Sequence, residues 1–578
     1  MCLASCRKLK KMRIYLLILS LAYTTGCISQ VLTINVSENN FGIDENRFLI
    51  VSRIQNISNY EDTSNYDEIV ITLGQNDYRF ISTPNSLKYS SSYLVSNVNT
   101  SNQYTLYFSS LPLISINTDN TIFDEPKVLA EFAYSDDEQT VVSNIGIELR
   151  GGLSQAFSKK TYDIEFWDDE IGDETIKMQF GELREDDDWI LDALYNEPLR
   201  LRSYTASKLW IELHTPYHID TEPNAKSGAD VMYVEMFLNE HYNGLYNLSE
   251  QSDRKQLKVK KFNGDMRGEL YKGSSWGGAN TFDSLPPYNN NIRQWGGYEF
   301  KHPDEDELTD WENLYEFTSF VMNSSESDFA YSIWSEFSED NFIDYFLFLN
   351  LIRAIDNTGK NIYLAKYNVD EPYFYVPWDL DGCFGANYDG TNLNITDDIL
   401  SNGFIDRVLA ENPNGTLTTI ANNWFDYRND IFSNNSLSQS ITQQYEFLQE
   451  NKIYERESLV YPNDPYGTAY SFDNPSLSYT LDWLDSRLEY LDIYFGDILS
   501  VNSLTPANKL SIYPNPAIDE IDISSIKNLN GNSYKIYNNI GQLITNGVIE
   551  NEQIKIEKLE TGIYLIFING NTFKLIKN

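Results

Sequence analysis

The chain has 578 residues, with 85 Asp and Glu against 43 Lys and Arg, a net charge of −42. That balance excludes general nucleic-acid binding, because polyphosphate is repelled. A hydrophobic fraction of 41% is that of a globular chain, neither disordered nor membrane-embedded, and the length allows several domains with at least one large core.

At the N-terminus Arg7, Lys8, Lys10, Lys11 and Arg13 precede the apolar run 14–23 and then T-T-G-C-I-S-Q. A basic segment, a short apolar core and small residues predict a secretory signal over 1–29, cleaved after Ser29 and too short to stay as a membrane span. Met12 is an alternative start, and Cys27 a less favoured lipoprotein site. No later run is long enough to cross a bilayer, so no transmembrane span is expected after cleavage. Of four cysteines only Cys383 lies beyond this segment, which leaves no intramolecular disulfide and no thiolate cluster. Four histidines exclude a His-rich metal centre. His214 and His218 have helical spacing, but Pro216 stands between them.

Residues 30–110 alternate apolar and polar (V-L-T-I-N-V-S, E-I-V-I-T-L, Q-Y-T-L-Y-F), the pattern of a β-sandwich-like accessory module. Residues 111–500 are mixed: strands lead to R-G-G-L-S-Q-A-F-S-K-K-T-Y (150–162), and helical patterns cover 201–213, 341–355 and 481–491. Beyond residue 503 seven Lys balance seven Asp and Glu. Short strands with N-G and G-N turns there predict a small β-sandwich over 501–578. Acid runs at 168–174, 185–188 and 304–307 offer oxygens for calcium, although solvated loops are the commoner outcome.

The chemistry concentrates around D-N-T-G-K-N (356–361) and P-W-D-L-D-G-C-F-G (377–385), joined by the hairpin N-I-Y-L-A-K-Y…Y-F-Y-V-P-W. Helix, D-x-x-x-x-N loop, hairpin and Asp-Gly loop occur in that order in protein kinases. Asp356 then orients the acceptor hydroxyl, Asn361 and Asp379 hold magnesium, and Asp381 is a further ligand or an orienter. Either motif alone is weak, since D-x-D is a common turn; their order and linkage carry the reading. The 150–162 loop supplies glycines for close backbone approach and, in Lys159 or Lys160, a cation for phosphate. Strand alternation groups Lys160 with Tyr162 and Ile164, and Lys159 with Thr161 and Asp163; Lys160 is slightly favoured as the phosphate ligand. Glu250 either pairs with that lysine or caps the following helix, capping being the safer expectation.

These segments together resemble the CotH kinase family, the spore-coat protein H type of atypical protein kinase. The matching pieces run in order from about 111 to 500: L-R-G-G-L-S-Q-A-F-S-K-K-T-Y-D-I-E-F, D-W-I-L-D-A-L-Y-N-E-P-L-R-L-R-S, F-L-N-E-H-Y-N-G-L-Y-N-L-S-E, E-L-Y-K-G, Y-E-F-K-H-P, D-N-T-G-K-N-I-Y-L and P-W-D-L-D-G-C-F-G. The chain departs at Gly152-Leu153-Ser154, where members often carry R-G-N-S-S or R-G-x-S-S, and at Cys383, where Thr or Ser is common. The tail, with L-S-I-Y-P-N-P-A-I-D-E-I-D-I-S and L-E-T-G-I-Y-L-I-F-I-N-G, resembles the type A C-terminal sorting domain of type IX secretion in Bacteroidetes.

The resemblance implies an α+β protein: an atypical protein-kinase-like catalytic domain flanked by the β-sandwich-like module and the sorting domain. It implies transfer of the ATP γ-phosphate to Ser or Thr of secreted or surface proteins with Mg²⁺, or Mn²⁺ in its place. Asp356 is then catalytic, Arg150, Lys160 and Glu250 bind the nucleotide, and Asn361, Asp379 and Asp381 bind metal. The tail implies export to the outer-membrane surface by the type IX machinery. ATP is scarce outside cells, so the substrate is modified before export or another donor serves. The alternative is a catalytically silent surface adhesin on the same scaffold. A hydrolase with paired carboxylates is weaker, as no second acidic motif stands at glycosidase-like placement.

Overall fold

The computed structural model describes residues 30–304, 307–462, 476–502, 511–524, 529–538, 541–568 and 571–578. The expected signal segment, and Glu305 and Asp306 of the third acid run, lie outside them. The chain divides into two compact units, one built from residues up to 414 with 427–490, the other from 415–426 with 491–578.

In the first unit, the strands of the N-terminal region join in one seven-stranded sheet, ordered Val31–Val36, Glu68–Leu73, Asn76–Phe80, Ser92–Asn97, Gln103–Phe108, Leu49–Ser52, Phe41–Asp44. The alternation of E-I-V-I-T-L puts Ile69, Ile71 and Leu73 into its core. Leu49–Ser52 breaks the period, with all four residues buried. Ile50 serves the sheet's own core, while Leu49 and Val51 pack with Tyr107, Leu113, Phe237 and Tyr242. Gly42 makes that approach feasible, since a Cβ there would stand 2.3 Å from the Phe237 ring. The accessory region thus packs directly onto the adjoining barrel.

That barrel is closed, its strands ordered Thr140–Arg150, Thr161–Trp167, Asp188–Asp192, His241–Ser249, Val231–Leu238, Leu113–Asn117, Val128–Ser135. Its interior is aromatic, with Phe132, Phe166, Phe180 and Trp189 in mutual edge and tilted contacts. A second sheet runs Gln294–Trp295, Tyr298–His302, Glu269–Gly273, Ile362–Lys366, Tyr373–Pro377.

The helix Glu339–Ile352 is the axle of this half. Its sequence suggests one apolar face, yet every residue from Asn341 to Ile352 is buried, so it is covered all round. The polar side chains in that run act as clamps. Asn341 donates to the Tyr375 carbonyl at 2.9 Å and accepts from the Tyr375 N–H at 2.7 Å, gripping the last strand of the sheet. Ser338 caps its start, and Arg353, in the left-handed region at φ 55°, ends it.

In the second unit, a three-stranded sheet (Ser511–Tyr513, Glu520–Ser524, Gln553–Lys555) and a four-stranded one (Leu543–Val548, Ser533–Asn538, Gly562–Ile568, Asn571–Lys577) share one core of Ile521, Ile536, Ile554, Ile566 and Leu575 among others. This is the expected small sandwich. No helix among the described residues is long and apolar enough to cross a membrane.

Candidate active site

From Arg353 the chain enters a short turn, Ile355–Thr358, then the strand Ile362–Lys366, the hairpin, the strand Tyr373–Pro377 and the 379–385 loop. Asn357 ties the two loops together. Its side-chain nitrogen donates to the carbonyls of Asn361 at 2.6 Å and Trp378 at 2.8 Å. The Trp378 N–H donates to the Asn361 carbonyl at 3.0 Å, and the Asn361 N–H to that of Gly273 at 3.0 Å. Asn361 and Asp379 both stand at φ 53°, a region non-glycine residues enter only when their surroundings hold them there. The Asn361 side chain donates to the Asp379 carbonyl at 3.4 Å.

Asp356, Asn361, Asp379, Asp381 and Arg150 line one cavity of about 1050 Å³, together with Lys159, Asp192, Asn247 and Lys272. Asp379 is open to the cavity, but the surrounding protein replaces bulk water at mid-range. That desolvation raises its pKa against the pull of Lys272, Lys360 and Arg150, and Asp356 adds repulsion. Desolvation, then repulsion from Asp379, raises Asp381 well above the carboxylate range, although Asn196 donates to it at 2.5 Å. Burial, then Asp379, pushes Asp192 up to about 6. Facing these acids is a cationic wall. Arg150 and Lys272 lie 5.4 and 5.8 Å from the centre of the Trp378 ring. Burial, then Arg150 and Lys301, brings Lys272 down to about 8. Acids on one side and cations on the other suit a metal-bound polyphosphate.

Two expected residues are not brought to this cavity. Lys160 turns back on its own loop, its Nζ donating to the carbonyls of Gln155 at 2.7 Å and Phe157 at 2.5 Å. The alternation holds, but the face is the other one: Tyr162 and Ile164 are barrel core, while Thr161 and Asp163 line the cavity with Lys159. Lys159 is fully buried; its Nζ lies 2.5 Å from Glu457 and also donates to the Leu245 carbonyl. Glu250 neither pairs with a loop lysine nor caps a helix. It accepts from Lys226 at 2.5 Å, the Arg184 N–H at 2.7 Å and Gln256 at 2.7 Å, and Asp253 is the N-cap of Arg254–Leu257.

Asp192, Asn196, Asn247, Lys272 and Asn357 escaped the sequence reading. Asp192 looks like an acid ending D-W-I-L-D, and Lys272 sits in the E-L-Y-K-G stretch without a local mark of function. Asn247, cross-strand from Asp192, is only 1% exposed, and neither its amide nitrogen nor its amide oxygen has a hydrogen-bond partner. An orphaned donor and acceptor on a cavity wall fit a polar ligand group.

Among the described residues, the three carboxylates close enough to share an ion are Glu165, Asp187 and Asp188. Lys255 already occupies that cluster, 2.7 Å from Asp187 and 3.6 Å from Asp188. In the 168–174 run, Asp169 accepts from the N–H groups of Ile171 and Gly172, as a turn does. Asp356, Asp379 and Asp381 are not so tightly grouped. That suits Mg²⁺, which takes one or two carboxylates and completes its shell with waters and phosphate oxygens.

Residues 147–491 match the family model described as CotH kinase protein. The chain belongs to this family. The matched segment holds every residue of the cavity named above, while the strands Leu113–Asn117 and Val128–Ser135, which close the CotH barrel, lie before it. Residues 511–578 match the secretion system C-terminal sorting domain, so this CotH protein is routed by type IX secretion to the cell surface or beyond it. No curated protein matches the chain.

Proposed function

We propose that this exported CotH protein is an atypical protein kinase, transferring the γ-phosphate of ATP to a Ser or Thr hydroxyl of secreted or surface proteins. What carries the reading is one cavity lined by Asp356, Asn361, Asp379 and Asp381 on one side and by Arg150 and Lys272 on the other. Asn361, Asp379 and Asp381 would hold Mg²⁺, or Mn²⁺. The bound ion would neutralise phosphate charge and fix the phosphates.

Asp356 orients the acceptor hydroxyl and takes its proton as the oxygen bonds to the γ-phosphorus. The bond to the bridging oxygen breaks and ADP leaves. Lys360, 3.9 Å from the Asp356 carboxylate, limits the cost of the charge there. Arg150 and Lys272 meet the charge on the phosphates. The backbone clamp from Asn357 fixes both loops before substrate arrives, so little reorganisation remains at the moment of transfer.

The test is incubation of the full chain with labelled ATP, Mg²⁺ or Mn²⁺ and candidate secreted proteins. Label transfer is expected from the wild type and not from Asp356→Ala or Asp379→Ala. Transfer that survives in Asp379→Ala sinks the site assignment. No transfer with either metal, and no nucleotide binding by calorimetry, favours a silent surface-binding protein on this scaffold.

A further inference from the structure

Asp356 lines a second cavity as well. This one, about 590 Å³, lies against the first and is bordered by Trp276, Ile355, Tyr388 and Ile399. Large apolar side chains are usually covered, and scattered exposed ones need no explanation. Here three gather around one carboxylate, Trp276 at 53%, Ile355 at 42% and Tyr388 at 49% exposure. The groove is physically joined to the acid side of the site. Asn196 donates to the Tyr388 carbonyl at 2.8 Å and to Asp381 at 2.5 Å through one nitrogen. The segment 384–402, which supplies Tyr388 and Ile399 to the groove, contains Asp389, Asp397 and Asp398 and no Lys or Arg. Asp398 is neutralised from outside that stretch by Arg353 at 2.6 Å.

The geometry points to the groove as the acceptor subsite. It takes an extended protein segment whose Ser or Thr hydroxyl meets Asp356 while an aromatic or branched apolar side chain beside it enters between Trp276, Ile355 and Tyr388. An acidic neighbour at that position is rejected, because its carboxylate loses the apolar contact and must be desolvated among Trp276, Ile355 and Tyr388. This rests on the reading of Asp356 as the group that receives the acceptor hydroxyl. It adds a substrate class, namely segments with an apolar residue flanking the hydroxyl and no acid next to it.

The probes are fluorescein-labelled serine peptides in which the neighbours of the serine are Leu, Tyr, Ala or Asp, with binding to the full chain read by anisotropy. Leu and Tyr peptides are expected to bind best and Asp peptides worst. Trp276→Ala is expected to weaken the Leu and Tyr peptides about tenfold, the scale on which loss of one aromatic anchor is felt, with little change for Ala peptides. Ile355→Ser is the second variant, and a melting curve like the wild type's establishes that each is folded. Equal binding of Leu and Asp peptides, or affinities unmoved in both folded variants, overturns the subsite. Anisotropy requires no catalysis, so the two readings fail separately. Selective binding without label transfer leaves the groove standing and removes the kinase.

Discussion

Lys159 and Glu457 form an ion pair from which solvent is fully excluded, Nζ to Oε1 at 2.5 Å. The same carboxylate takes Arg200 at 2.7 Å and the Leu245 N–H at 2.9 Å. The helix Ile453–Val460 is thereby bolted to the barrel strand His241–Ser249 just behind the cavity. Glu457→Ala leaves two buried cations without their partner, and loss of about 3–5 kcal/mol in urea unfolding is expected. Burial disfavours the Glu457 anion, but Arg200 and Lys159 overcome it and hold its pKa at about 2, against an ordinary 4.5. Its stabilisation is therefore complete above pH 4.5 and lost as pH falls through about 2. Urea midpoints measured across that window should fall for the wild type and fall less steeply for Glu457→Gln, since other paired acids such as Asp398 still titrate there. Equal slopes would remove Glu457 as the source.

Desolvation makes the Asp379 anion costly despite the pull of Lys272, Lys360 and Arg150, and that charge is repelled by Asp356 and itself raises Asp192 and Asp381. Asp379→Asn relieves that repulsion. Without divalent ions the variant should melt at or above the wild-type temperature while transferring no phosphate. Magnesium should then reverse the order. At a hundredfold excess over its dissociation constant a ligand specific for the folded state adds about 2.7 kcal/mol, which the variant forfeits. Scanning calorimetry with and without Mg²⁺ measures both. A metal response equal in the two proteins excludes Asp379 as a ligand.

The parts of the site that lie close in sequence were legible. The helix, the D-x-x-x-x-N loop and the hairpin leading to Asp379 are set by local spacing, and Asp356, Asn361 and Asp379 line one cavity. Residues brought in from other strands were not legible. Asp192 and Asn247 face each other only because Asp188–Asp192 pairs with His241–Ser249, and no local period announces that. Lys159 and Lys160 show the limit most clearly. Alternation separates their faces correctly, but which face is interior depends on barrel closure by strands more than twenty residues upstream. The strand Leu49–Ser52 failed for a related reason: a one-faced pattern cannot report burial on both faces. Asn357 carries no local mark of its role, since an amide in a turn looks the same whether or not it also holds a second loop.

Asn357 is a positioning residue, and its variants should separate in a specific order. Asn357→Ala removes the donor shared by the Asn361 and Trp378 carbonyls; the first keeps the Trp378 N–H, and the unmet bond at the second costs about 1–3 kcal/mol. Asn357→Asp puts a carboxylate against the same two carbonyls and should be worse than alanine above neutral pH. Both should lower kcat far more than they raise KM for ATP, since the cationic wall is untouched. Urea unfolding alongside steady-state kinetics tests the order. If aspartate is tolerated better than alanine, the donor role is wrong.

Asn247 separates a ligand-binding role from a structural one by the sign of two effects. Its amide is buried with neither atom satisfied, a state that costs stability in the free protein. Asn247→Leu keeps the branched shape and the number of heavy atoms and removes both unmet groups, so the free protein should gain about 1 kcal/mol in urea unfolding. The same change removes a donor and an acceptor from the cavity wall, and calorimetry should find ATP bound about tenfold more weakly, the value of one well-made polar contact of this kind. A structural role moves stability and leaves affinity alone. Gain of stability with loss of affinity marks a side chain held ready for ligand, and the discriminating measurement is therefore the pair, made on one preparation at one pH.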